Sequence, residues 1–222
     1  MRFELLYQPS YAIARIMLDP QESIRAESGA MISMSPTISL DSKIQGGIGK
    51  ALGRMFGGES IFQTTFKATS GPGEVLLAPA GPGDIASVEP GVGLMVTSGA
   101  YLAGDTSLLI ETQASFKGFL AGEGLFMMKI SGHGTLLLSS FGAIHPIQLG
   151  PGQQYIVDTG HLVAFSAGMP FEVRRATKGL LGSFTSGEGV VAHLTGPGLI
   201  YIQTRTAPAF AGMIRPFLPA GG

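Results

Sequence analysis

The sequence predicts an all-β fold made of three related units. Three observations carry that reading: short apolar runs bounded by Gly or Pro, landmarks that recur three times, and a composition rich in glycine and poor in charge. Of 222 residues, 34 are Gly and 14 are Pro, and 45% are hydrophobic. With a mean hydropathy of +0.33, the chain has the apolar content that a disordered segment lacks. Its length is enough for one compact domain with a sizeable core.

The strand signals come in order along the chain. Phe62-Gln63-Thr64-Thr65-Phe66, Leu136-Leu137-Leu138, Tyr155-Ile156-Val157, Leu162-Val163-Ala164-Phe165 and Leu199-Ile200-Tyr201-Ile202 are short, and either apolar throughout or alternating. Runs of that length, rich in β-branched and aromatic residues and flanked by turn formers, read as strands.

Three landmarks repeat. Gly58-Glu59-Ser60-Ile61-Phe62 recurs as Gly122-Glu123-Gly124-Leu125-Phe126 and as Gly187-Glu188-Gly189-Val190-Val191. Each copy precedes a Gly-x-Gly turn that opens an apolar run: Gly71-Pro72-Gly73, Gly132-His133-Gly134 and Gly196-Pro197-Gly198. Glycine suits the tight turn of a hairpin, so the shared element reads strand, turn, strand. The third landmark is Ser28-Gly29-Ala30, Ser98-Gly99-Ala100 and Thr159-Gly160-His161. Gly29, Gly99 and Gly160, with Glu59, Glu123 and Glu188, are therefore read as residues that serve the repeat.

Equivalent landmarks lie about 60 to 70 residues apart, the scale of one supersecondary unit. The third copy stops short, and Asp19 to Gly29 lines up with Glu89 to Gly99. The expected units are about 28–97, 98–158, and 159–204 completed by 1–27, with a Pro/Gly-rich tail over 205–222. Closure by the N-terminal strands would remove the open edges that invite aggregation.

Just before each Gly-Glu landmark the periodicity changes. Ile48, Leu52, Met55 and Phe56 fall at helical spacing with Lys50 and Arg54 opposite. Phe116, Phe119 and Leu120 accompany Lys117, and Leu180, Leu181 and Phe184 follow Lys178. Each stretch reads as a short helical crossover. Lys50, Arg54, Lys117 and Lys178 are the candidate contact residues for a partner or an anionic head group.

Charge narrows the function classes. Charged residues make up 13% of the chain, with 14 Lys+Arg against 15 Asp+Glu. The chain has no global field to draw in nucleic acid, and a sparsely charged surface points to burial between subunits. A nucleic-acid partner is thus disfavoured, and a homo-oligomer is expected. The absence of Cys excludes disulfides, thiolate zinc sites, iron–sulfur clusters and cysteine nucleophiles. The stretch 1–9 carries Glu4 and has no apolar h-region, so no secretory signal is read and the cytoplasm is the expected compartment.

No catalytic or cofactor site emerges. His133, His145, His161 and His193 are isolated from one another, whereas a cupin-type metal site needs an H-x-H pair with a nearby Glu and a third His. Gly47-Ile48-Gly49-Lys50-Ala51 lacks the earlier glycine of a phosphate loop and the hydroxyl residue after its Lys. Neither a G-x-S-x-G elbow nor any other marked nucleophile occurs. Glu59, Glu123 and Glu188 could form a carboxylate cluster on a threefold axis, but a repeated residue more often fixes its own repeat. The expectation is a non-enzyme with no metal and no cofactor.

Gly49-Lys50-Ala51-Leu52-Gly53-Arg54-Met55-Phe56-Gly57-Gly58-Glu59-Ser60-Ile61-Phe62 and Gly99-Ala100-Tyr101-Leu102-Ala103-Gly104 resemble the bacterial branch of the altered inheritance of mitochondria twenty-four family. The resemblance implies a fold similar to the tryptophan RNA-binding attenuator protein: a small double-stranded β-helix or sandwich-like unit repeated within the chain. Mitochondrial relatives are linked to inner-membrane organisation, so the resemblance adds peripheral membrane contact to the expectations. It carries over no catalytic residue. The functional expectation is a self-associating β scaffold acting through assembly and an unidentified protein partner. The alternative is an RNA- or small-ligand-binding module that uses clefts between repeats.

Overall fold

The computed structural model describes residues 2–43, 63–112, 127–175 and 190–218. Strand β1 (Arg2–Leu6) precedes three sets of six strands. The first set is β2 (Ile13–Leu18), β3 (Ser23–Glu27), β4 (Met31–Met34), β5 (Ile38–Lys43), β6 (Gln63–Ala68) and β7 (Gly73–Leu77). The second is β8 (Ile85–Val88), β9 (Gly91–Thr97), β10 (Tyr101–Asp105), β11 (Leu109–Thr112), β12 (Met127–Gly132) and β13 (Leu136–Ser139). The third is β14 (Ile144–Leu149), β15 (Gln154–Asp158), β16 (Leu162–Ser166), β17 (Phe171–Arg175), β18 (Val190–Thr195) and β19 (Gly198–Gln203).

Pairing follows one scheme in every set. The sixth strand lies antiparallel between the first and third, as β7 does between β2 and β4, β13 between β8 and β10, and β19 between β14 and β16. The fifth lies between the second and fourth, as β6, β12 and β18 do. The third strand of each set carries a bulge against the sixth at the same place, between Met31 and Ser33, Tyr101 and Ala103, and Leu162 and Ala164. Consecutive sets are joined because the second strand of one pairs with the third strand of the next, β3 with β10 and β9 with β16. Four sheets result: β1-β2-β7-β4, β5-β6-β3-β10-β13-β8, β11-β12-β9-β16-β19-β14 and β15-β18-β17.

Side-chain alternation explains where the cores form. On β2, Ala14, Ile16 and Leu18 are buried while Arg15 points to solvent, the period-2 pattern of a half-buried strand. They meet Ile24, Phe66, Val75 and Leu77 in the first of three apolar clusters, one for each set. In the shared middle sheets, β10, β13 and β16 are buried on both faces, as strands covered on two sides must be. On β13, Leu137 belongs to the first cluster, and Leu136 and Leu138 to the second. On β10, Leu102 faces the first cluster and Tyr101 the second.

Two expectations need correction. The N-terminal strands do not complete the third set: β1 pairs with β2, β2 with β7, and β3 with β6 and β10. Among the described residues the inner strands of that set are paired with their own set, β19 with β14 and β16 and β18 with β15 and β17, and no N-terminal strand pairs with its edges. The Gly-x-Gly turns are not hairpins either. β6 and β7, β12 and β13, and β18 and β19 lie in different sheets, so each turn carries the chain across a core rather than back along a ladder. The crossovers bearing helical periodicity fall in 44–62, 113–126 and 176–189, outside the described residues.

The stretch after Gln203 contains a helix, α1 (Ala207–Ile214), that its Pro and Gly content had obscured. The Thr206 hydroxyl caps it by accepting from the Ala209 amide at 3.3 Å, and Pro208 occupies the first turn, where no intrahelical donor is needed. Phe210 holds it to the β13–β14 connection by a tilted ring contact with Phe141, centroids 5.4 Å apart.

Candidate interaction surface

Among the described residues, the strand scheme leaves two edges without the partner that their counterparts have. Each third strand except β4 is paired with the second strand of the preceding set, and each second strand except β15 with the third strand of the following one. β4 ends its sheet with Met31, Ile32, Ser33 and Met34 all exposed. β15 ends the opposite sheet with Gln154, Tyr155 and Ile156 exposed and only Val157 buried. Sheet edges are usually blunted by charge or proline. Here β1 carries Arg2 and Glu4, β5 Asp41, β11 Glu111, β14 Pro146 and β17 Glu172 and Arg174. β4 and β8 carry none of these devices, and of the two only β4 is exposed at every residue, since β8 keeps Ile85 buried.

The internal junctions show what such edges bury when they are paired. Tyr101 and Leu102 of β10, and Leu162, Val163 and Phe165 of β16, are all buried. The Tyr101 hydroxyl reaches across to donate to the Arg25 carbonyl of β3 at 2.9 Å. Burial pushes its phenol well up from the usual value. At the β9–β16 junction the Thr97 hydroxyl donates to the Val163 carbonyl at 3.1 Å.

The model of the mitochondrial biogenesis AIM24 family matches residues 3–205. The chain belongs to this family. It is similar to an uncharacterised protein of Streptococcus pyogenes serotype M6, 35% identical over 230 residues that span 99% of this chain and 92% of the relative. A Streptococcus pyogenes protein solved by crystallography in a structural-genomics programme shares 32% identity and a TM-score of 0.80, over 98% of this chain and 99% of that one. AIM24-family membership thus accounts for nearly the whole architecture, and it assigns no chemistry to any position.

The residues singled out from sequence divide between described and undescribed segments of this AIM24-family chain. Lys50, Arg54, Lys117 and Lys178, with Glu59, Glu123 and Glu188, lie outside the described residues. Gly29 turns the chain into β4 with φ +92°, a conformation that favours glycine. Gly99 and Gly160 instead sit in 3-10 turns, Ser98–Ala100 and Thr159–His161, before β10 and β16. In the third set the Asp158 carboxylate accepts from the Gly160 amide at 2.9 Å.

Sequence reasoning missed Asp84. Nearly buried between β7 and β8, its carboxylate accepts from the Gln8 amide at 3.0 Å, the Ile85 amide at 2.9 Å and the Ile144 amide at 3.4 Å. One side chain thereby ties the N-terminal segment to the first strands of the second and third sets. A lone Asp in Gly-Pro-Gly-Asp84 carries no signal of that role. Among the described residues no three His, Asp or Glu side chains converge to hold a metal. His161 donates from Nδ1 to the Gln203 carbonyl at 2.6 Å. His193 lines a cleft of about 310 Å³ on the third set with Gln154, Glu172, Arg174 and Thr195. The Arg174 guanidinium donates to Glu172 and holds that carboxyl below the usual range. No helix of the described residues is long and apolar enough to cross a membrane.

Proposed function

We propose that this AIM24-family protein is a non-enzymatic, self-associating β scaffold of the cytoplasm, acting through homo-oligomeric assembly and contact with a protein partner. The observation that carries the reading is β4: four consecutive residues, three of them large and apolar, exposed along an unpaired edge. A monomer rarely leaves such an edge bare, because backbone donors and acceptors in a row template pairing with another chain. The sparse charge of the whole sequence supports the same reading, since it leaves few repulsions to oppose association. Lys50, Arg54, Lys117 and Lys178 remain the proposed contacts for a partner or an anionic membrane surface.

A second reading, a small-ligand module, has one specific observation in its favour, the cleft around His193 and the Glu172–Arg174 pair. That cleft lies within the third set. The junctions between sets are strand pairs, β3 with β10 and β9 with β16. Light scattering of the full chain across micromolar concentrations tests the scaffold reading. It expects a mass above the 23.0 kDa of one chain; a single-chain mass throughout overturns it.

A further inference from the structure

We infer that copies of this chain join head to tail, β15 of one copy pairing antiparallel with β4 of the next, so that the junction already made twice inside the chain is made a third time between chains. The inference rests on the scaffold reading and gives it an interface and a register.

Position by position, the ends of the chain expose what the internal junctions bury. Ile32 occupies the place of Leu102 and Val163, as the shared bulge fixes. Ile32 is 52% exposed, whereas Leu102 and Val163 are at 0% and 1%. Leu102 packs into the first apolar cluster and Val163 into the second, so in each case the third strand of one set contributes a side chain to the core of the set before it. Ile32 has no preceding set to enter. On the other side, Tyr155 occupies the place of Ile24 and Leu94, counted from Glu27, Thr97 and Asp158 ahead of the three landmarks. Tyr155 is 41% exposed against 0% and 6% for its counterparts. Among the described residues, the third cluster receives no such side chain from a following set.

The internal registers fix the external one. Ala103, Gly104 and Asp105 oppose Ala26, Arg25 and Ile24, and Ala164, Phe165 and Ser166 oppose Val96, Met95 and Leu94. The same offsets set Ser33, Met34 and Ser35 opposite Val157, Ile156 and Tyr155 of the neighbouring copy. Ile32 then enters the third core of that copy. Both edges expose large apolar side chains, Met31, Ile32 and Met34 on β4 and Tyr155 and Ile156 on β15, beside main-chain hydrogen-bonding groups, which is the chemistry of strand addition. The contact is heterologous: one copy gives β4 and the other β15, so it builds rings or filaments rather than a twofold dimer. A second copy is the occupant favoured over an unrelated protein, because it alone repeats both the bulged strand and the uncovered core that the two internal junctions use.

The test uses two full-length variants, Ile32→Glu to disable the β4 edge and Tyr155→Glu to disable the β15 edge. Both positions are exposed in the single chain, so each variant is expected to keep the wild-type circular dichroism and melting profile. Alone, each should sediment at the single-chain mass of 23.0 kDa. Mixed one to one, they should double that mass, because one retains an intact β15 and the other an intact β4. A mixture that stays at the single-chain mass overturns the inference. So does wild-type association that survives in both variants alone, a result that leaves the scaffold reading standing with a different interface. If the wild type itself sediments as a single chain, both readings fall together.

Discussion

The hydroxyl of Tyr101 donates to the carbonyl of Arg25 across 2.9 Å, from the second strand set back to the first. Its ring meanwhile fills the second apolar cluster. One side chain therefore contributes to a core and clasps the neighbouring set, and neither Leu162 nor Met31, its counterparts, has a hydroxyl to do the same.

Tyr101→Phe is expected to lower stability by about 1 kcal/mol, the usual net worth of one such bond. The wild type should also lose stability in alkali. Burial raises the folded phenol above its unfolded value near 10, so the contribution is complete below about pH 10 and lost as pH rises through the folded value. Partly buried Tyr201 shifts the same way through burial and adds to the effect. Urea titrations at neutral pH and above pH 10 check both statements; a phenylalanine variant with an undiminished alkaline slope would show that Tyr101 is not responsible.

Two alanine substitutions at equivalent places should behave oppositely. Leu102→Ala empties a fully buried site and should cost about 2–5 kcal/mol. Ile32→Ala, at the exposed counterpart, should stay within about 0.5 kcal/mol for the single chain. Denaturant midpoints at concentrations where the chain is unassociated make the comparison. Equal losses would contradict the bare β4 edge on which the junction argument stands.

Much of this was legible from sequence, for physical reasons that can be named. The landmarks at Ser28, Ser98 and Thr159 recur because each precedes the bulged third strand of its set. The all-β class followed from short apolar runs between glycines. What the runs could not convey was which strands are neighbours. Gly132-His133-Gly134 reads as a hairpin turn locally, yet β12 and β13 diverge into separate sheets, because each is claimed by strands far along the chain. The edges were missed for a related reason. Met31-Ile32-Ser33-Met34 and Leu136-Leu137-Leu138 are both apolar, and only the pairing reveals that one is bare and the other covered on both faces.

Asp84→Ala should cost about 1–3 kcal/mol, because the amides of Gln8 and Ile85 lose a shared acceptor in a nearly buried site. Thermal melts of the variant and of Gln8→Ala, which removes only one of those partners, give the measurement. The smaller loss is expected for Gln8→Ala; equal and negligible losses would remove Asp84 as the tie between the sets.

The register of the proposed junction can be read directly by cross-linking, since the natural chain contains no Cys to interfere. Met34→Cys in one preparation and Ile156→Cys in another would place thiols on opposed residues. Antiparallel partners lie about 4.5 to 5.5 Å apart at Cα, within the range a disulfide spans. Mild oxidation of the equimolar mixture should give a disulfide-linked pair containing one chain of each kind, with little product from either preparation alone. Efficient linkage within one preparation, or no mixed product while the wild type remains associated, would contradict head-to-tail assembly through these two strands.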